Sequence, residues 1–182
     1  MTTAADLNLS GLNLDGSHVI AKKAKTTNIL PISDRNGFFL ASTGLVAGNH
    51  NDAYHLKSHL QAAFKSMKRL RLDFQGAFFN ADRAFDTQEA RKTYFNHALI
   101  PNIDENKRNH KGPKRGKKRF YDAAIYKNRF VAERSFAWVD KFKALLIRFN
   151  RIDAFFLGAH FIVFAMSSIN KFQLSTIFRI GS

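Results

Sequence analysis

Short apolar runs of strand character alternate along this chain with stretches whose apolar residues recur every three or four. A chain patterned this way has to stack helices on a sheet. Leu7, Leu9, Leu12 and Leu14 lead into Asp15-Gly16, and Thr27 to Ile32 and Phe38 to Val46 read as two further strands. Asp34-Arg35-Asn36-Gly37 between the latter two is a hairpin signal, because Asn-Gly tolerates the positive φ angles of a tight turn. From Asp52 to Leu70 the apolar positions Leu56, Leu60, Ala63, Phe64 and Met67 have the spacing of an amphipathic helix, with Asn51 or Asp52 as its cap. Gly76 to Asn80 is a short strand-like run, Thr87 opens a second helix, and Ile100-Pro101-Asn102-Ile103 suggests one more strand. Tyr121 to Ile147 has no Gly or Pro and reads as one long helix. The expected class is a mixed α/β sheet flanked by helices.

Composition narrows the function. The 182 residues suit one domain, and 19 Phe supply enough apolar surface for a core. A net charge of +15 is the footprint of a polyanion partner, with nucleic acid ahead of an anionic membrane because the basic residues are spread along the chain. No cysteine is present, which excludes disulfides, thiol nucleophiles and thiolate metal sites; a metal would need oxygen or imidazole ligands. The start, MTTAADLNLSGLNLDG, has no signal-peptide pattern, so a cytoplasmic, nucleoid-associated protein is expected. The apolar run Phe155 to Met166 has 12 residues and contains His160, short of the roughly 20 a membrane helix needs, and is expected to be a buried helix. Phe136, Trp138, Phe142 and Phe149 are read as one buried stripe.

Three carboxylates stand where chemistry is expected. Asp15 and Asp82 each follow an apolar run, in LNLDGSH and AFFNADRAFD, and strand ends place side chains at a sheet's rim. Each is also in a position where Asp serves simply as turn former or helix cap. Tyr126, Arg129 and Glu133 would share one helix face at 100° per residue, which on its own is also the pattern of a solvent-exposed Arg129–Glu133 pair. The segment Lys107 to Arg119 carries eight basic residues with two Gly and one Pro, so it cannot bury a core and is expected to be a solvated loop.

Read in order, DGSH, NADRAFD and Y-x2-R-x3-E followed by ERSFAW resemble the three catalytic blocks of bacterial insertion-sequence DDE transposases, the group with the Y-x2-R-x3-E third block. AKTTNILPISDRNGFFLASTGLVAGNHNDA resembles that family's second and third strands and helix entry, and ENKRNHKGPKRGKKR its basic loop. The similarity covers about residues 12–166. It implies an RNase H-like catalytic core occupying 1–182 as a single domain, with Asp15, Asp82 and Glu133 as catalytic carboxylates holding two Mg²⁺ or Mn²⁺ ions. Such hard cations take oxygen ligands and keep positions open for phosphate and water. Water would cut the element's end and the freed 3′-hydroxyl would attack target DNA, so the partner is double-stranded DNA, both transposon end and target. By the same resemblance Tyr126 and Arg129 hold the transposon end, and Lys107, Arg108, Lys111, Lys114, Arg115, Lys117, Lys118 and Arg119 contact the DNA backbone. His18 is expected to be structural.

The chain departs from the family in three places. Only 14 residues precede Asp15, where the family carries a DNA-binding segment of roughly domain size. The expectation is that this N-terminal domain is absent or supplied by an upstream reading frame, that a second copy pairs with the chain as transposases pair on two ends, and that the chain alone shows at most slow metal-dependent nicking. The link between His18 and Lys25 looks short, which would threaten the register of Asp15. The family's Lys seven residues after Glu133 is replaced by Asp140, with Lys141 beside it. A catalytically inactive DNA-binding remnant is the alternative reading, and a nuclease of this fold recruited elsewhere is a third.

Overall fold

The computed structural model describes residues 7–21, 26–51, 53–105, 119–149 and 152–180. The basic segment 107–118 lies outside the described residues.

The first element is one long bent hairpin. β1 (Gly11–Leu14) and β2 (Ser17–Ala21) run up one side, β3 (Thr26–Ile29) and β4 (Pro31–Asp34) return down the other. Its two halves keep a single register, Leu12 opposite Asp34, Leu14 opposite Ile32, Ser17 opposite Ile29 and Ile20 opposite Thr26. The threatened slip at Asp15 is therefore not found. What changes is the surrounding strand: the hairpin passes at the Asp15-Gly16 bend from one sheet into another, so Asp15 lies at a kink and not at a chain turn.

The larger sheet has the order β5-β4-β1-β7-β8, where β5 is Phe39–Ser42, β7 Phe78–Asn80 and β8 Ile100–Asn102. β5, β4 and β1 meander antiparallel, while β1, β7 and β8 are parallel. The parallel strands need crossovers, and helices supply them. This is the mixed, helix-flanked RNase H-like arrangement expected from the pattern. The turn at Asn36-Gly37 holds as read: Gly37 has φ 83°, and the buried Asp34 carboxylate accepts from the backbone N–H groups of Asn8, Asn36 and Phe38. A smaller sheet pairs β6 (Val46–Ala47), β3, β2 and β9 (Ile147–Arg148).

α1 (Leu56–Arg69) buries Leu56, Leu60, Ala63, Phe64 and Met67, the stripe its spacing specified. Its start differs from the expectation: His55, in a left-handed conformation at φ 49°, occupies the cap position with no side-chain bond. α2 (Gln88–Asn96) opens at Thr87, whose hydroxyl accepts from Ala90 N. Both helices cover one face of the larger sheet, closing a core with Leu12, Leu14, Ile32, Phe79, Phe85 and Tyr94.

The stretch 121–147 is not one helix. It divides into α3 (Ala123–Lys127), α4 (Phe130–Val139) and α5 (Lys143–Leu146) before β9. Tertiary contacts mark the first break and the end of α5: Asn128 Nδ2 donates to Arg35 O, and Ile147 and Arg148 leave the helix to pair with Ile20 and Ala21. Nor is the aromatic stripe buried as expected. Trp138 and Phe142 are half-buried against a second core cluster of Ile29, Val139, Leu145, Val163 and Phe164, while Phe149 is exposed.

α6 (Asp153–Ile180) also exceeds its expectation, with 28 residues. Its described stretch Asp153–Gln173 is long and apolar enough to cross a membrane, so the shortness inferred from the run Phe155 to Met166 does not hold. Nor is it the buried helix expected: only Phe156, His160, Val163, Phe164 and Ser167 are buried among its described side chains, whereas Phe155, Ile162, Met166 and Ile169 are exposed.

Candidate active site

The rim where β1 and β7 end side by side gathers side chains from all three sequence blocks. Asp15 sits one residue beyond β1, and its Oδ1 accepts from Gly16 N at 3.0 Å. Asp82 sits two residues beyond β7 and caps the 3₁₀ turn Arg83–Phe85, accepting from Arg83 N at 2.7 Å. Asp82 thus serves as a local turn cap as well as a rim carboxylate, whereas Asp15 sits at the kink between the two sheets. The third block arrives from α3 and α4, whose junction keeps a right-handed helical backbone at Asn128 and Arg129, so Tyr126, Arg129 and Glu133 still present one face.

Arg129 is the centre of the cluster. Its Nη2 lies 3.3 Å from Asp15 Oδ1 and 3.8 Å from Glu133 Oε1, and its Nη1 lies 3.8 Å from Asp82 Oδ1. Nη1 also donates to the Tyr126 hydroxyl at 2.9 Å. The three carboxylates are graded by exposure, with side chains 20% exposed at Asp15, 50% at Asp82 and 61% at Glu133, around a guanidinium that is only 14% exposed. Burial pushes the Asp15 carboxyl above the usual carboxylate range, outweighing the neighbouring Arg129 and the bond from Gly16 N. Arg129 goes up as well: burial opposes its charge, but Asp15, Tyr126 and Asp82 together outweigh that. Arg129 Nε is buried and has no hydrogen-bond partner among the described residues.

The remaining expected site residues are placed differently. His18 lies in β2 opposite Asn28 and is exposed. Arg119 grips Asp86 with two bonds of 2.8 and 2.9 Å and lies 3.7 Å from Glu105 Oε1, so it anchors the end of the basic segment. Lys107, Arg108, Lys111, Lys114, Arg115, Lys117 and Lys118 fall outside the described residues. Asp140 and Lys141 are both exposed at the end of α4.

Residues 22–167, most of the chain, match the family of transposase DDE domains. The chain belongs to that family. The match begins beyond Asp15, whose position comes from the hairpin and not from the matched span. A search of curated proteins returns no relative. Solved structures similar to the domain include the catalytic domain of Mos1 transposase with raltegravir and Mg, at 14% identity and a TM-score of 0.40 over 50% of this chain and 47% of that one. The catalytic domain of Mos1 mariner transposase gives 14% and 0.40 over 88% and 81%. The Mos1 paired-end complex with left transposon end gives 13% and 0.40 over 88% and 55%. These likenesses are distant, and family membership stands on the match over residues 22–167.

Pattern reading passed over four residues of this transposase domain. Asn13, Asn80 and Asn102 are buried one pleat below the rim, and Asp104 pairs with Arg83 at 2.6 Å beside Asp82. The signal that finds them is a spacing repeated three times, Asn13-Leu14-Asp15, Asn80-Ala81-Asp82 and Asn102-Ile103-Asp104.

Proposed function

We propose that this transposase domain cuts and joins DNA for an insertion sequence, with Asp15, Asp82 and Glu133 as the carboxylates that hold two divalent cations. The observation that carries this reading is the convergence of all three, from three separate parts of the chain, within 4 Å of one guanidinium. Carboxylate oxygens are the donor set Mg²⁺ and Mn²⁺ prefer, and a sheet rim leaves room for a phosphate. Among the described residues no three His, Asp or Glu stand grouped as a finished metal site, and Arg129 lies between Asp15, Asp82 and Glu133. Two bound ions would activate the attacking oxygen and neutralise the leaving oxygen of an in-line displacement.

The chain's own residues do the rest. Asp15 and Asp82 are fixed by backbone bonds, so their carboxylates need little reorganisation. Arg129 has the geometry for a bidentate phosphate contact, and its unsatisfied Nε has a donor to give. Moving that guanidinium from carboxylates to a DNA phosphate would free the carboxylates as it fixes the DNA end. Tyr126 and Tyr121, with ring centroids 5.4 Å apart, flank this path with stacking surface. A second copy of the chain, and a separate segment that reads the element's ends, belong to the same proposal, as do double-stranded DNA as end and target and a location on bacterial DNA in the cytoplasm.

The test is nicking of supercoiled plasmid with Mn²⁺ or Mg²⁺, comparing wild type with Asp82→Asn. Wild type should nick slowly, and the variant should bind DNA equally but not cut. Equal nicking by both would reject the assignment. The second reading, a DNA-binding remnant, is favoured by the placement of Arg129 between the carboxylates, and DNA binding without nicking by the wild type would select it.

A further inference from the structure

Three buried asparagines form a continuous hydrogen-bonded line beneath the rim. Asn13, Asn80 and Asn102 are directly opposite one another across β1, β7 and β8. Asn13 Nδ2 donates to Asp34 O at 3.1 Å, Asn80 Nδ2 donates to Asn13 Oδ1 at 3.0 Å, and Asn102 Nδ2 donates to Asn80 Oδ1 at 2.8 Å. The line then reaches the third block: Asn102 Nδ2 also donates to Asp122 O at 3.1 Å, and its Oδ1 accepts from Asp122 N at 2.8 Å. Asp122 in turn caps α3, accepting from Ala124 N and Ile125 N. All three asparagines are at most 1% exposed.

We infer that this ladder is a positioning device that sets the relative height of the three carboxylate-bearing blocks, an inference that rests on the metal-site reading above. Stability alone does not account for it. Three amides in a protein interior gain little over well-packed apolar side chains, whereas each one left unpaired is costly. Its distinctive property is register. Side chains alternate faces along a strand, so Asn13 and Asp15, Asn80 and Asp82, and Asn102 and Asp104 each share a face, one pleat apart. A slip of one residue in any strand would put Leu14, Phe79 or Ile103 into the line and carry the aspartate to the opposite face. Every amide donates toward β4 and accepts from the β8 side, so the order of strands is encoded as well. Asn102 extends the same control to Tyr126, Arg129 and Glu133 through the α3 cap. The ladder residues are positioning residues that act through the carboxylates two residues on.

The experiment replaces the ladder with an apolar one of similar shape, Asn13→Leu, Asn80→Leu and Asn102→Leu together. Unfolding in denaturant, Mn²⁺ binding by electron paramagnetic resonance, and crystal structures of both proteins are compared. The triple variant should fold but unfold at lower denaturant than wild type, because Asp34 O, Asp122 O and Asp122 N lose their side-chain partners; it should bind Mn²⁺ about tenfold or more weakly, as lost supporting contacts around metal ligands typically do, and show Asp15, Asp82 and Arg129 displaced from one another. Mn²⁺ affinity within about twofold of wild type and superimposable carboxylates would overturn the inference, that margin being well below the usual loss. If wild type binds no Mn²⁺, the metal reading fails, and the ladder is judged by the carboxylate positions alone. Should the triple variant not fold, Asn80→Ser, which keeps one hydrogen-bonding group, decides by the same readouts.

Discussion

Arg129→Met removes the one cation common to three carboxylates while keeping most of the apolar stem. The Asp15 contact, at 3.3 Å between side chains 14% and 20% exposed, carries most of the loss. The contacts to Asp82 and Glu133 reach half-exposed carboxylates and add only tenths of a kcal/mol. A partly buried charged hydrogen bond of this kind, left with its partner unpaired, costs about 2–3 kcal/mol. For a domain of this size that lowers Tm by about 5–10 °C. The pH dependence identifies the cause. The Asp15 carboxyl is raised by burial, so the stability it contributes is present below its unfolded value of 3.8 and is lost as pH rises through the folded value. Without Arg129 that folded value climbs further, and more is lost at neutral pH. The deficit of the variant should therefore be full at pH 7, shrink toward pH 4 as the carboxylates protonate, and be offset at pH 7 by millimolar Mg²⁺. Equal deficits at both pH values in denaturant unfolding would show that Arg129 acts by packing and not by charge.

Asp86→Asn should cost about 3–5 kcal/mol in denaturant unfolding, because the carboxylate, only 2% exposed, is the charge partner of the buried Arg91 and the nearer of the two that Arg119 has; a loss below about 1 kcal/mol would refute that pairing as a structural anchor. Lys171 Nζ, held by Gly37 O and Ser135 Oγ, is lowered by burial to about 8. Between there and its unfolded value the unfolded chain binds the extra proton, so stability rises with pH from about 8 to 10.5, and Lys171→Met should lack that share of the rise in melts across this range. Replacing Lys114, Arg115, Lys117 and Lys118 with Ala should weaken duplex binding and flatten its salt dependence, since each phosphate contact releases counterions; an unchanged slope in a salt titration would make the segment only a solubilising loop.

Local rules read well where a local cause dominates. The Asn36-Gly37 turn, the Thr87 cap and the buried stripe of α1 each depend on residues within a turn or two, and all three stand. The stretch 121–147 is broken where the pattern predicts one helix because lack of Gly and Pro permits a helix without requiring one, and Asn128 and Ile147 answer to partners in a distant turn and a distant strand. α6 outruns its apolar core for a related reason: a run of apolar residues measures hydropathy, while the helix continues through Ser167 to Ile180 with no Gly or Pro in that stretch to stop it. In the site, helical spacing revealed the shared face of Tyr126, Arg129 and Glu133. The contact between Arg129 and Asp15, 114 residues apart, exists only once β1 and α4 are packed. The asparagine ladder was legible in principle as three Asn-x-Asp repeats, but its meaning needs the knowledge that β1, β7 and β8 are neighbours.

The most direct test of the account is the number of Mn²⁺ ions bound per chain, measured by electron paramagnetic resonance for wild type, Asp15→Asn, Asp82→Asn and Glu133→Gln with a DNA duplex present. The account predicts about two ions for wild type, as a paired-metal phosphoryl-transfer site requires, and loss of at least one in each variant, with Asp15→Asn the most severe because its carboxylate is the most buried of the three. Identical binding by all four proteins would contradict the assignment of these carboxylates as the metal site.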